Sequence, residues 1–167
     1  MLFFTLTEII YIVITIVIVG LIFSRTFDKE EIIFWMKVAG LSIILHELFH
    51  KFSAILLGYP AYYQISIFGL LLGLLFKFAG FPFIFFIPGY VVFYGPITPI
   101  AQAIIAVAGP SANLLLYIVG KYLYKKYQKE EYYALYRLNF WLFVLNMLPI
   151  PPLDGFKFFS GLIYTIL

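Results

Sequence analysis

The sequence predicts a mainly α-helical membrane protein, a polytopic bundle of about four to five spans with a membrane-associated hairpin between the second and third core helices. Hydrophobic residues make up 64% of the chain and charged residues 11%, far from the balance of a soluble domain. Several apolar segments reach the roughly 20 residues that a helix needs to cross a bilayer. Because 167 residues is the length of one domain, we expect a single integral membrane domain over residues 1–167.

The first predicted span covers residues 1–24. Its apolar run, Leu2 to Phe23, is too long for the core of a signal peptide and has no basic start, so we expect a retained helix. Glu8 lies one or two turns from the end of this helix. At such a position a carboxylate is more often interfacial than functional.

The second predicted span covers residues 32–57 and carries the sequence HELFH, and the following Gly-Tyr-Pro ends it. Residues 61–97 are aromatic and rich in proline. We predict a hairpin here that is helical first and partly extended after Pro82, buried against protein because irregular backbone is not tolerated in lipid. Whether residues 65–88 cross the membrane stays open.

Two further apolar segments complete the predicted bundle. Residues 97–124 form a helix containing AGPSAN, whose small residues allow another helix to approach closely. Residues 134–167 are interrupted at PIPPLDG, where the prolines forbid regular helix. Between these segments, residues 121–133 form the only strongly charged loop, which its lysines place in the cytosol. If the hairpin does not cross, the N-terminus lies outside.

Composition excludes several kinds of chemistry. The chain has no cysteine, so disulfides, iron–sulfur clusters, thiolate zinc sites and thiol catalysis are all ruled out. The net charge of +3 comes from lysines and arginines that lie mostly in short loops and orient the helices, so nucleic acid is not expected as a partner. Any metal ion must be bound by histidine, carboxylate, carbonyl or water.

His46, Glu47 and His50 form the pattern His-Glu-x-x-His within the second span. Residues four apart on a helix lie about 40° apart around its axis, so both imidazoles project from one face and suit a single zinc ion. Glu47 lies about 100° away, placed to act as general base on a water molecule. A histidine that merely bonds a neighbouring helix is the alternative. It is disfavoured because the chain has two histidines in all, and Glu47 would be costly at bilayer depth.

A catalytic zinc ion usually takes three protein ligands and one water. With cysteine absent and both histidines used, the third ligand is expected to be a carboxylate, and outside the charged loops Glu8 and Asp154 remain. With a rise of about 1.5 Å per residue, His46 and the segment leading to Asp154 both reach the middle third of the membrane. Glu8 lies near one face, so Asp154 is the favoured ligand.

The motifs HELFH, AGPSAN and NMLPIPPLDG, in this order on successive membrane segments, resemble those of the site-2 protease family of intramembrane zinc metalloproteases. The resemblance covers roughly residues 35–165. The first motif is shared with many soluble metalloproteases, but its combination with an Asn-x-x-Pro-x-Pro-x-x-Asp-Gly segment in a membrane protein is highly specific. The chain resembles a compact form of the family, with no PDZ-like domain inserted.

The resemblance implies roles for five residues: one Zn²⁺ ion bound by His46, His50 and Asp154, a general base at Glu47, and substrate positioning or oxyanion stabilisation by Asn146. A helix-to-helix hydrogen bond is the alternative for Asn146. Ser111 and Asn113, within AGPSAN, are expected to pack and form hydrogen bonds rather than to catalyse.

The implied activity is hydrolysis of peptide bonds within transmembrane segments of other membrane proteins, known as regulated intramembrane proteolysis. The expected location is the cell membrane, as a multi-pass protein, and the expected partners are the lipid bilayer and a transmembrane protein substrate. An extended substrate is predicted to pair with strand edges in residues 82–95 by strand addition. Two alternatives stay open: a non-enzymatic membrane protein with a metal site or ion path, and a metal-dependent hydrolase of lipid.

Overall fold

The protein is described here by a computed structural model that covers residues 3–81 and 86–167. These residues are mainly α-helical and include one two-stranded sheet, which confirms the predicted fold class. They divide into two compact units. The first consists of Met1–Ile44 and Tyr62–Val92, and the second of Leu45–Ala61 and Phe93–Leu167.

Three helices among the described residues are long and apolar enough to cross a membrane. They cover Leu6–Phe23, Lys29–Leu56 and Pro99–Tyr127. The remaining helices are shorter. Helix α4 spans Ile67–Phe78, α6 spans Glu130–Asn146 and α7 spans Asp154–Ile166.

Helix α1, Leu6–Phe23, belongs to the first unit and begins with a reciprocal cap. The Thr5 hydroxyl accepts from the Glu8 backbone N–H at 3.2 Å, and the Glu8 carboxylate accepts from the Thr5 backbone N–H at 2.9 Å. The other oxygen of that carboxylate accepts from the backbone N–H of Tyr63 at 2.8 Å. Glu8 is therefore buried and hydrogen-bonded within the protein.

The long second helix is made of α2 (Lys29–Trp35), a π-helical segment (Met36–Gly40) and α3 (Leu41–Leu56). The Asp28 side chain caps its first turn, which contains Glu30 and Glu31. The helix carries HELFH, as predicted. It ends just before Gly58, whose φ of +88° favours a glycine.

The segment between residues 61 and 97 differs from the prediction at its start. Strand β1, Ala61–Ile65, precedes helix α4 and pairs with strand β2, Gly89–Phe93. The expected order of helix first was wrong, because the short run AYYQI forms a strand that pairs with β2. The extended structure predicted after Pro82 is present in β2, and residues 82–85 lie outside the described residues.

Helices α5 (Pro99–Tyr127), α6 and α7 belong to the second unit, where α5 packs against both of the others. The charged segment 121–133, expected as a loop, is helical except at Gln128 and Lys129. Lysine and glutamate favour helix, so the end of the apolar run does not mark the end of the helix here. Gln128 adopts a left-handed conformation that makes the turn. The proline-rich break lies between α6 and α7, where it was predicted.

Candidate metal centre

Two imidazoles lie one turn apart on α3, within the second unit. The Nε2 atoms of His46 and His50 are 3.0 Å apart, and both side chains are largely buried, with exposed fractions of 10% and 9%. The four-residue spacing thus places both rings on one helix face, as the sequence predicted.

Asp154 reaches the two histidines from the start of α7. Its Oδ2 lies 3.0 Å from Nε2 of His46 and 3.2 Å from Nε2 of His50. The next residue, Gly155, is buried, and a Cβ there would collide with the carbonyl of Met147. The glycine therefore lets the first turn of α7 pack against the start of the break, just after the end of α6, and this packing sets the position of the carboxylate.

The hydrogen bonds behind the imidazoles determine which ring nitrogens face the centre. Nδ1 of His50 lies 2.7 Å from the backbone oxygen of Ile105. A carbonyl oxygen can only accept, so Nδ1 carries the hydrogen and Nε2 of the neutral ring presents a lone pair. That lone pair faces Nε2 of His46 and the Asp154 carboxylate.

This convergence of lone pairs fits a metal ion. The three ligand atoms all lie within 4.8 Å of one another. A proton could bridge one pair of them, whereas a single cation satisfies all three. Two imidazole nitrogens and a carboxylate oxygen are also a common protein ligand set of catalytic zinc, which keeps its fourth position for water or substrate.

Two buried asparagines extend the hydrogen bonding behind His46. Oδ1 of Asn113 lies 2.6 Å from Nδ1 of His46, and Nδ2 of Asn113 donates to Oδ1 of Asn139 at 2.9 Å. Asn139 was not singled out from the sequence. An amide within the otherwise apolar run LNFWLFVL of α6 was the available signal, because a polar side chain at such a position needs a partner.

Gly109 brings the backbone of α5 against the imidazoles. A Cβ at this position would lie 2.7 Å from Nε2 of His46 and still closer to Nε2 of His50. The glycine in AGPSAN is therefore required by the histidines, in addition to the helix packing that the small residues predicted.

The other two predicted site residues lie beside this group. Glu47 follows His46 on α3 and is partly exposed. Asn146 is the last residue of α6, directly before the break that leads to Asp154, and its Nδ2 donates to the backbone oxygen of Leu142 at 3.0 Å. The structure thus brings three of the five predicted residues into one cluster.

Comparison with known proteins gives an independent result. The chain is 32% identical over 165 residues to a protein of Methanocaldococcus jannaschii named "Putative zinc metalloprotease MJ0611", covering 92% of this chain and 84% of that protein. The chain belongs to a zinc metalloprotease family. A Bacillus subtilis protein named "Putative zinc metalloprotease YwhC" is 31% identical to this metalloprotease over 78 residues, which is 38% of this chain and 36% of that protein. No protein-family model matches the chain, and no solved structure matches it at a significant level.

Proposed function

We propose that this metalloprotease is an intramembrane zinc protease of the site-2 protease type, which cleaves peptide bonds within transmembrane segments of other proteins of the cell membrane. One observation carries the proposal. The sequence His-Glu-x-x-His lies in a helix that is long and apolar enough to cross a membrane, and both histidines contact Asp154 in the protein interior. A soluble protease would have no reason to place this motif in such a helix.

His46, His50 and Asp154 would bind one zinc ion through two Nε2 atoms and a carboxylate oxygen. Bound zinc supplies Lewis acidity, which polarises a carbonyl group and makes water acidic enough to become a nucleophile near neutral pH. The protein holds the two rings for this purpose, since the Nδ1 of each already contacts an acceptor on α5.

Glu47 is the proposed general base. Its carboxylate takes the proton from the attacking water and later delivers it to the nitrogen of the leaving amine. Asn146 would donate a hydrogen bond to the oxyanion once its amide turns away from the Leu142 carbonyl.

The proposed substrate is a transmembrane helix that unwinds locally, because a peptide carbonyl in a helix is held in a hydrogen bond. We place the turn between α5 and α6 in the cytosol, since lysines are concentrated around it. Pairing of an extended substrate with the strand edge in residues 82–95 stays a prediction, and β2 is the strand within the described part of that range, residues 86–95.

The test compares wild type with Glu47→Gln, each reconstituted into vesicles with a panel of single-span membrane proteins. We expect equal zinc content in both and cleavage inside the spans, located by mass spectrometry, in wild type alone. Loss of a general base costs roughly 100- to 10,000-fold in rate. The matched control is Glu130→Gln, which changes an exposed carboxylate in the first turn of α6. This variant should cleave as wild type does.

Two outcomes would contradict the proposal. Zinc-loaded wild type that cleaves no span, with Glu47→Gln indistinguishable from it, would favour a structural metal site or ion path. Hydrolysis of phospholipid in the vesicles without peptide cleavage would favour a lipid hydrolase.

A further inference from the structure

A chain of three hydrogen bonds leads from the backbone of α6 to His46. Nδ2 of Asn139 donates to the backbone oxygen of Leu135 at 2.9 Å. Nδ2 of Asn113 then donates to Oδ1 of Asn139 at 2.9 Å, and Oδ1 of Asn113 faces Nδ1 of His46 at 2.6 Å. Both asparagine side chains are fully buried.

The Leu135 backbone oxygen, at one end of this chain, determines the direction of all three hydrogen bonds. The Leu135 oxygen can only accept, so the amide nitrogen of Asn139 must face it and the amide oxygen must face Asn113. That oxygen needs a donor, which fixes the nitrogen of Asn113 towards it. The remaining oxygen of Asn113 then faces His46, and Nδ1 of the imidazole must supply the hydrogen.

We propose that Asn113 and Asn139 act as an amide relay that holds His46 in its Nδ1–H tautomer and keeps Nε2 free to bind the metal. Both are positioning residues, and the inference rests on the proposed binding of zinc by His46. A reversal of the Asn113 amide would set oxygen against oxygen at Asn139. Burial of both amides away from water makes such a mismatch costly, so the orientation of the Asn139 amide fixes that of the Asn113 amide.

The two histidines are therefore held in the same tautomer by different means. His50 donates directly to the backbone oxygen of Ile105, with no side chain between. His46 depends on two side chains and reaches a backbone carbonyl only through them. Substitution of Asn139 should accordingly affect His46 and leave His50 unchanged, so one ring is an internal control for the other.

The experiment uses the zinc-loaded full chain in detergent micelles with ¹⁵N-labelled histidine. Since the chain has two histidines, each ring gives an assignable signal. In wild type we expect both rings to carry a hydrogen on Nδ1 that exchanges slowly with water. In Asn139→Leu the His46 hydrogen should exchange faster while the His50 hydrogen does not, and zinc affinity measured by chelator competition should fall about 10- to 100-fold.

A second substitution tests the direction of the relay. In Asn113→Asp combined with Asn139→Leu, the carboxylate accepts from His46 without help from residue 139, so slow exchange and zinc affinity should return to within a few-fold of wild type. Ser111→Ala is the control on α5, because its hydroxyl bonds only its own helix through the Val107 oxygen, and it should change neither signal. Asn139→Ala repeats the test if the leucine variant does not fold.

Two results would overturn the relay. In one, Asn139→Leu leaves the exchange of both rings and the zinc affinity as in wild type. In the other, it disturbs both rings equally and Asn113→Asp does not restore them, as expected if Asn139 only packs α6 against α5. Neither readout requires peptide cleavage, so the relay can fail while the proposed protease activity stands, and a protein that binds zinc but cleaves nothing would leave the relay intact.

Discussion

Two carboxylates lie in the first turn of apolar helices in this protein, and their surroundings differ in kind. In the first unit the oxygens of Glu8 accept from two backbone N–H groups, those of Thr5 and Tyr63. The protein itself supplies the donors, so the negative charge is already compensated by hydrogen bonds. This carboxylate serves to fix the start of α1 and the strand that contains Tyr63.

In the second unit Asp154 faces two imidazole nitrogens instead of N–H groups. At least one of them, Nε2 of His50, presents a lone pair, because its ring hydrogen is donated to Ile105. With both rings neutral, the carboxylate and these nitrogens can be brought together by a shared proton or by a metal cation. For an acidic residue in an apolar helix, the hydrogen-bond partners of the carboxylate, rather than its burial, indicate whether it belongs to a functional site.

The strongest test of this difference is Asp154→Asn, which keeps the shape of the side chain but removes its charge. We expect zinc affinity to fall by more than the roughly 10- to 100-fold that loss of an outer hydrogen-bond partner costs, because a ligand itself is lost. The measurement is zinc content per chain after dialysis against a weak chelator. Full zinc occupancy in this variant would rule out Asp154 as a ligand.

Gly109→Ala tests the same centre from the side of α5. The added methyl group cannot fit beside the two Nε2 atoms unless the rings or the helix move, so zinc affinity should fall about 10- to 100-fold. Ser111→Thr is the matched control, since it adds a methyl group on the exposed side of the same helix. Unchanged zinc binding in Gly109→Ala would mean that the rings can move aside without cost.

The contrast between the two carboxylates also shows how much of the structure could be predicted from the sequence. Long apolar runs are local features, so the helices that can span a membrane and the proline-rich break were predictable. The pairing of Asp154 with the histidines was reached by elimination, which worked because the chain offers few other ligands. Glu8 was set aside as a ligand, and the structure shows it accepting from Thr5 and Tyr63. The contact with Tyr63 was not predicted, because it is made between residues distant in sequence.

The features that were missed depend on tertiary contacts or on helix propensity outside the apolar runs. Asn139 is one amide in an apolar helix, and the sequence does not say which helix it will face. Helix covers residues 121–127 and 130–133 because lysine and glutamate favour helix, whereas hydropathy reports only where the apolar run ends. Strand β1 forms because β2 pairs with it, and the two are separated by helix α4.

Glu8→Gln should have the smallest effect on the metal and separates the two carboxylates most clearly. One of the two accepting oxygens becomes an NH₂ group facing a backbone N–H, so the change should lower the free energy of unfolding by about 1 to 3 kcal/mol. Zinc content should stay at the wild-type value, because the oxygens of Glu8 are used by Thr5 and Tyr63. Thermal unfolding in detergent measures the first quantity and metal analysis the second, with exposed Glu130→Gln as the control for loss of one negative charge. A loss of zinc in Glu8→Gln at a temperature where the protein is fully folded would mean that the two carboxylates act together, and the distinction drawn from their hydrogen-bond partners would fail.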